Sequence, residues 1–369
     1  MVDDSSELAY YNMNFKSIFS SKMNATEIDA ISHSAFENRE YQKEIFNKRL
    51  FNYSENFTQG DYSIEPVMSG WDKELILGYI NEYGGVLCAL FHFGSHRHFF
   101  VDAASLNIPT VAPIAGKSYY DMKDLISKSS VEHASKVKLL EVEGDKVSLD
   151  LIRSLKEKRV GGIYVDGNMG PESFLNNDGC ISVVFFGTEL SVKSGIARLS
   201  LLLKLPILPV FCNSIGGQGF IEFADLIKLK ESSKTRAAYI NDVMQTLYSS
   251  LESKVSNSPE SWEYALCLHR WVIPKTDSVT QILSEEPAKI KFVRENWSVI
   301  VKGGESYWFN ALTTKGVKVP VELEGVFKIL SDNNFTDWYP LSLTIKKLGY
   351  NSMAILNSLI KNGFIKVLE

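Results

Sequence analysis

From Gly84 onward, short apolar runs alternate with stretches of helical pattern, and that alternation sets the expected architecture. The runs Val86–Phe93, Thr110–Ile114, Val137–Val142, Gly161–Val165 and Ile207–Phe211 read as buried strands. Helical patterns begin at about Ser95, lie near 119–129, and cover Leu149–Lys158, Lys193–Lys204 and about Arg236 to Lys254. Strands that are apolar throughout and separated by helices predict an α/β fold, a mostly parallel sheet covered on both faces. Before it, residues from about 1 to 78 read as mainly helical and amphipathic, an N-terminal segment packed on the core. After it, the polar stretch Thr276–Glu286 leads to three short helices at Val321–Leu330, Leu341–Leu348 and Ser352–Lys361. Asn362-Gly363 is a helix stop, and Phe364–Leu368 a closing strand. The expected division is 1–78, 79–275 and 290–369.

The C-terminal pattern resembles a small winged-helix-type module. Its third helix carries one lysine, Lys361, so DNA recognition is poorly supported; docking and purely structural roles remain, with the structural one favoured. Composition narrows the field. The 369 residues are 45% hydrophobic and 22% charged, a globular balance. A net charge of −5 gives no general pull toward nucleic acid or anionic membrane. The cysteines Cys88, Cys180, Cys212 and Cys267 are far apart and form no C-x-x-C pair, which suits buried thiols in a reducing cytoplasm. From the acidic start no secretion signal is expected. The most apolar stretch, Leu199 to Cys212, is interrupted by Lys204, Pro206 and Pro209, so no membrane span is expected and membrane contact is at most peripheral.

Candidate chemistry concentrates in Phe91-His92-Phe93-Gly94-Ser95-His96-Arg97-His98, which follows a strand and opens a helix. His92 therefore stands at the carboxyl end of a strand, where open α/β sheets place their ligand crevice. Gly94 allows close backbone approach, and the helix start offers N–H donors beside the histidine. A general base next to N–H donors suits acyl transfer: the base takes the acceptor's proton and the donors hold the oxyanion. The spacing H-x-H-x3-D in His96, His98 and Asp102 mimics a metal set. Residues two apart on a helix point about 200° from each other, however, so no metal site is expected.

Phe91-His92-Phe93-Gly94-Ser95 resembles the His-Phe-Gly-Asn block of the lipid A biosynthesis late acyltransferases, and further blocks follow in that family's order. They are Tyr164-Val165-Asp166-Gly167, then Val184-Phe185-Phe186-Gly187, Ser194 to Leu199 with Arg198, and Leu208-Pro209-Val210-Phe211. Leu251-Glu252, Pro259-Glu260-Ser261-Trp262 and His269-Arg270-Trp271 close the series, with extra residues between Trp262 and His269. The resemblance covers about 80 to 273. It implies a glycerolipid-acyltransferase-like fold and transfer of an acyl group from a carrier-protein or coenzyme A thioester. The only cofactor-like element is then the phosphopantetheine arm of the donor, and an acyl carrier protein or similar carrier domain is the expected partner. It also implies His92 as general base, with Asp166 and Arg97 at the chemical centre. Gly94, Ser95, Lys117, Phe186, Gly187 and Arg198 are the candidate substrate contacts.

The departures from the family pattern matter as much. The family motif places an acid five positions after the histidine to orient it; Arg97 stands there and disfavours the imidazolium. Asp166 is the first candidate to replace that acid and Asp102 the second; loss of the chemistry is the third possibility. Val111 to Lys117 carries Ala112 before Pro113 where many relatives have Tyr-Arg-Pro, leaving Lys117 as the nearest cation. With no expected membrane span, these departures point to a soluble or carrier-bound hydroxyl or amine acceptor. The competing expectation is a catalytically degenerate scaffold that binds an acyl carrier protein or an acylated intermediate.

Overall fold

The computed structural model describes residues 4–56, 66–114, 116, 119–120, 122–123, 135–142, 146–166, 179–215, 218–229, 235–273, 283–287, 289–292, 297–302, 305–310, 316–332 and 337–368. The chain forms two compact units: one is Ser34–Tyr264, the other joins Met1–His33 to Ala265–Glu369.

The first unit is the α/β body. Helices α1 (Asp4–Phe19) and α2 (Ala25–Asn56) come first in the chain, followed by α3 (Lys73–Tyr83). Helix α3 starts where the Asp72 side chain accepts Leu75 N–H and stops where Gly84 turns left-handed at φ 80°. Six strands make the main sheet: β1 (Leu87–Gly94), β2 (Thr110–Ile114), β3 (Val137–Glu141), β4 (Val160–Tyr164), β7 (Ile207–Ile215) and β8 (Gln218–Phe223). Their order is β3-β2-β4-β1-β7-β8; every pairing is parallel except that of β7 with the edge strand β8. The mostly parallel sheet expected from the apolar runs is therefore present. Its sides are covered by α4 (Phe99–Ser105), α5 (Val147–Lys156), α6 (Gly195–Leu203) and α7 (Arg236–Asn257). Helix α7 buries Ile240, Val243, Met244, Leu247, Tyr248, Leu251 and Val255, the three-and-four spacing of one helical face. Beside that face the helix carries Gln245, whose side-chain amide donates to Val184 O and accepts from Val184 N on β5 (Cys180–Phe185). That contact docks the hairpin of β5 and β6 (Thr188–Lys193), which the strand pattern of the sequence does not announce.

Strand β1 lies inside the sheet, and its carboxyl end is irregular. Between Leu90 and Gly94 it advances four residues while β7 advances two, from Val210 to Cys212. The surplus forms a bulge at residues 91–93, a device that re-aims side chains at a sheet rim. Phe91 stacks on Phe211 at 4.7 Å and Phe93 meets the same ring edge-on at 6.1 Å. Alternation then turns His92 the other way, and it is the one residue of β1 that is not fully buried. Gly94 closes the bulge at φ 55°, where an added Cβ would sit 2.2 Å from Cys212 O. No other residue fits there without moving β7.

The second unit contains α1, which packs on β10 (Trp297–Lys302). Strands β10, β11 (Glu305–Asn310) and β12 (Gly316–Lys318) form an antiparallel sheet, and β9 (Lys289–Phe292) pairs with β13 (Ile365–Leu368). The three expected helices are α8 (Glu324–Asp332), α9 (Trp338–Lys347) and α10 (Ser352–Lys361). Trp297 stacks on Phe364 at 3.5 Å within a core that includes Trp338, Leu341, Ile345 and Leu356. Glu286 ties this module together, accepting from Ser342, Ser352 and Lys346. Among the described residues of both units, no helix is long and apolar enough to cross a membrane.

Candidate active site

His92 and Asp166 meet at the carboxyl ends of two adjacent strands. Asp166 lies just past β4, fully buried, and its Oδ1 is 2.8 Å from His92 Nδ1 while Oδ2 accepts the His92 backbone N–H at 2.9 Å. Trp262 Nε1 donates to the same Oδ2 at 3.1 Å. An isolated antiparallel bridge between Phe93 and Trp262 brings that tryptophan to the bulge of β1. The Tyr248 hydroxyl holds Val165 O at 3.1 Å and so fixes the backbone that precedes Asp166. A carboxylate only accepts, so Nδ1 carries a hydrogen, and in the neutral ring Nε2 keeps its lone pair. Among the described residues nothing hydrogen-bonds His92 Nε2, and the side chain remains 16% exposed.

Two tyrosines enclose the ring. Tyr264 stacks on one side at 3.5 Å with a 10° interplanar angle, and Tyr164 lies stacked at 4.2 Å. His96 approaches edge-on at 4.9 Å. The ring is held by its faces and by Nδ1, which leaves the Nε2 edge without a hydrogen-bond partner among the described residues.

Arg97 turns to a carboxylate of its own. Its Nη2 donates to Glu263 Oε1 at 2.6 Å, Arg39 Nε donates to the same oxygen at 3.4 Å, and His96 Nε2 faces Oε2 at 3.0 Å. Burial pushes Glu263 upward, but the His96 hydrogen bond and the charge of Arg97 outweigh it and hold the carboxyl well below its usual range. Burial, with Arg97 beside it, lowers His96 to about 4, so this imidazole is neutral at pH 7. Its Nε2 faces both Glu263 Oε2 and Arg97 Nη1, and its Nδ1 lies 3.1 Å from the Tyr164 hydroxyl, which donates to His96 O.

The remaining candidates separate. Asp102 accepts Val67 and Met68 N–H, pairs with Arg49 at 2.7 Å and faces Trp71 Nε1 at 3.4 Å. His98 Nδ1 faces the same Arg49 at 2.8 Å. His96, His98 and Asp102 thus go to different partners. Ser95 Oγ donates to Gln42 and Ser95 N–H to Cys212 O at 2.7 Å, so that amide is taken. Phe186 and Gly187 form the two-residue turn of the β5–β6 hairpin, both at positive φ, as a type I′ turn requires. Glu252 accepts the Phe186 N–H at 2.8 Å. Arg198 is exposed on the first turn of α6 with its Nε on Ser194 Oγ at 2.8 Å. Lys117 lies outside the described residues. The Phe-rich segments at 91–100 and 183–186 place Phe91, Phe93, Phe99, Phe100 and Phe185 in the packed core.

A family model, bacterial lipid A biosynthesis acyltransferase, matches residues 61–271. The chain belongs to this family. Membership implies acyltransferase activity. No curated protein matches the chain.

Sequence reasoning passed over Tyr164, Trp262, Glu263, Tyr264 and Arg39. Two of them carried a signal: Tyr164 is two residues before Asp166 at a strand end, and Trp262 stands in a family block. Glu263, Tyr264 and Arg39 carried none, because only the fold sets them beside residues 92–97.

Proposed function

We propose that the chain moves an acyl group from a thioester on an acyl carrier protein, or on coenzyme A, to a hydroxyl or amine of a soluble or carrier-bound acceptor. The observation that carries this reading is the oriented imidazole: Nδ1 is tied to buried Asp166, Nε2 has no hydrogen-bond partner among the described residues, and the side chain is 16% exposed. Nε2 takes the acceptor's proton as its oxygen or nitrogen attacks the thioester carbonyl. The new C–O or C–N bond forms, the C–S bond breaks, and the departing thiolate recovers the proton from His92. Asp166 fixes the tautomer and faces the imidazolium that forms, the task that the family motif gives to an acid where this chain has Arg97. With the Ser95 amide occupied, stabilisation of the oxyanion falls to other donors. Lys117 and exposed Arg198 are the proposed contacts for the phosphate of the pantetheine arm. Reaction in the cytoplasm fits a carrier-borne donor.

A non-catalytic scaffold is the second reading, favoured by the two tyrosine rings that narrow access to His92. The test loads acyl carrier protein with chains of several lengths. Acyl loss and acyl products are then followed by intact-protein mass spectrometry with the native chain and His92→Ala. Acyl loss that disappears in His92→Ala supports transfer; carrier binding with no acyl loss, even with a cell extract as acceptor source, moves the scaffold to first place.

A further inference from the structure

Residues 262–264 are pinned at three successive points around the candidate base. Trp262 is bound to Asp166, Glu263 receives donors from Arg97, Arg39 and His96, and Tyr264 lies flat on His92. The Arg97–Glu263 pair is mostly sheltered, with 20% and 14% of the two side chains exposed. Its strongest contact, 2.6 Å, runs from the residue five positions after His92 to the residue immediately before Tyr264. The pair therefore closes a short loop of structure through His92, the turn to Arg97, Glu263 and back to the imidazole face.

We propose that Arg97 is a positioning residue that acts through Glu263 to hold the Tyr264 ring against His92, shutting one face of the imidazole to water and confining proton transfer to Nε2. The charge of Arg97 is then taken up by Glu263 instead of opposing the imidazolium. The kinetic consequence rests on the acyl-transfer reading; the geometry of the clamp does not.

The test reads the His92 ring C–H resonances in the full chain, assigned by their loss in His92→Ala. A stacked aromatic ring shifts them upfield. Tyr264→Leu is expected to move them downfield, Arg97→Met to move them in the same direction, and Arg97→Lys to keep them near the native position. With acyl-loaded carrier protein as donor, Arg97→Met should lower kcat roughly ten- to a hundredfold with KM little changed, as for a displaced reacting group. Stationary resonances in a folded Arg97→Met chain would overturn the proposal, as would stationary resonances in Tyr264→Leu. Should Arg97→Met not fold, Glu263→Gln decides in the same way: a downfield move supports the clamp and no move rejects it. Moved resonances without His92-dependent acyl loss leave the clamp standing and reject acyl transfer. Acyl loss that needs His92, with resonances that stay in place, does the reverse.

Discussion

Two buried aspartates in the α/β body have nearly the same surroundings and opposite consequences. Asp166 and Asp102 are each fully buried, each accept backbone N–H groups, and each face a tryptophan Nε1. The difference is the remaining partner. Asp102 is paired with the guanidinium of Arg49, which also approaches His98 Nδ1. Asp166 instead faces His92 Nδ1. A carboxylate already matched by a permanent cation leaves a neighbouring histidine structural. One whose remaining partner is an imidazole orients that imidazole and stands ready for its protonated form. The lesson is that a His/Asp pair is read from what else the aspartate holds.

The sharpest way to break this comparison is to neutralise each aspartate in turn. Asp166→Asn should lower acyl transfer by about 10²- to 10⁴-fold, the range of a misdirected general base, while the denaturation midpoint moves far less. Asp102→Asn should act the other way. It removes the buried carboxylate that pairs with Arg49 and should cost about 3 kcal/mol of stability, with transfer per folded molecule preserved. Both are measured by urea denaturation alongside the carrier assay. If Asp102→Asn abolished transfer in a stable chain, the assignment of the two aspartates would be reversed.

The histidines provide a pH test of intermediate size. Burial lowers His96 to about 4 and, with Arg49 second, lowers His98 to about 3, each from an ordinary 6.5. The unfolded chain therefore binds these protons more tightly than the folded one. Their stability contribution is complete above pH 6.5 and is lost progressively as pH falls below it, toward 4 and then 3. Between pH 6.5 and 4.5 each site should contribute on the order of 2 kcal/mol. Thermal unfolding at pH 7.0, 5.5 and 4.5 checks it, and His98→Gln should flatten part of the slope. The smallest expected effect belongs to Trp262→Phe, which keeps a ring but deletes the donor to Asp166. Loss of about 1 kcal/mol and a less than tenfold fall in rate are expected, read from kcat at saturating carrier. A larger fall would mean that Trp262 governs the Asp166 carboxylate more than a single hydrogen bond does.

Much of the frame was legible in the chain. The strands at Thr110–Ile114 and Ile207–Phe211 were visible because a parallel strand covered on both faces must be apolar throughout, and the structure has them at Thr110–Ile114 and Ile207–Ile215. The β5–β6 hairpin was harder to see. One of its faces rests on α7 and the other carries Ser182 and Val184 to the surface, so its pattern is mixed. In the second unit, β9 to β12 were missed for a similar reason: short antiparallel strands with Lys289, Lys291 and Lys302 among their residues give no continuous apolar run. Around His92, the Gly94 bend was legible, since the position before Ser95 needs φ 55°. The Glu263 and Tyr264 contacts were not, since nothing in a stretch some 170 positions away states which ring it will cover.

By itself the sequence determined the α/β class, the family, and the placing of His92 at a strand end with Asp166 on another, because hydrophobic period and ordered motifs are local properties of the chain. Tertiary structure decided which acid meets the imidazole, that Arg97 faces Glu263, and that two tyrosines enclose the ring. Those outcomes depend on the bulge in β1 and on the bridge from Phe93 to Trp262. Hydrogen bonds of 2.6 to 3.1 Å are made or lost by shifts of about an ångström, a scale that strand order and backbone register fix and residue spacing does not.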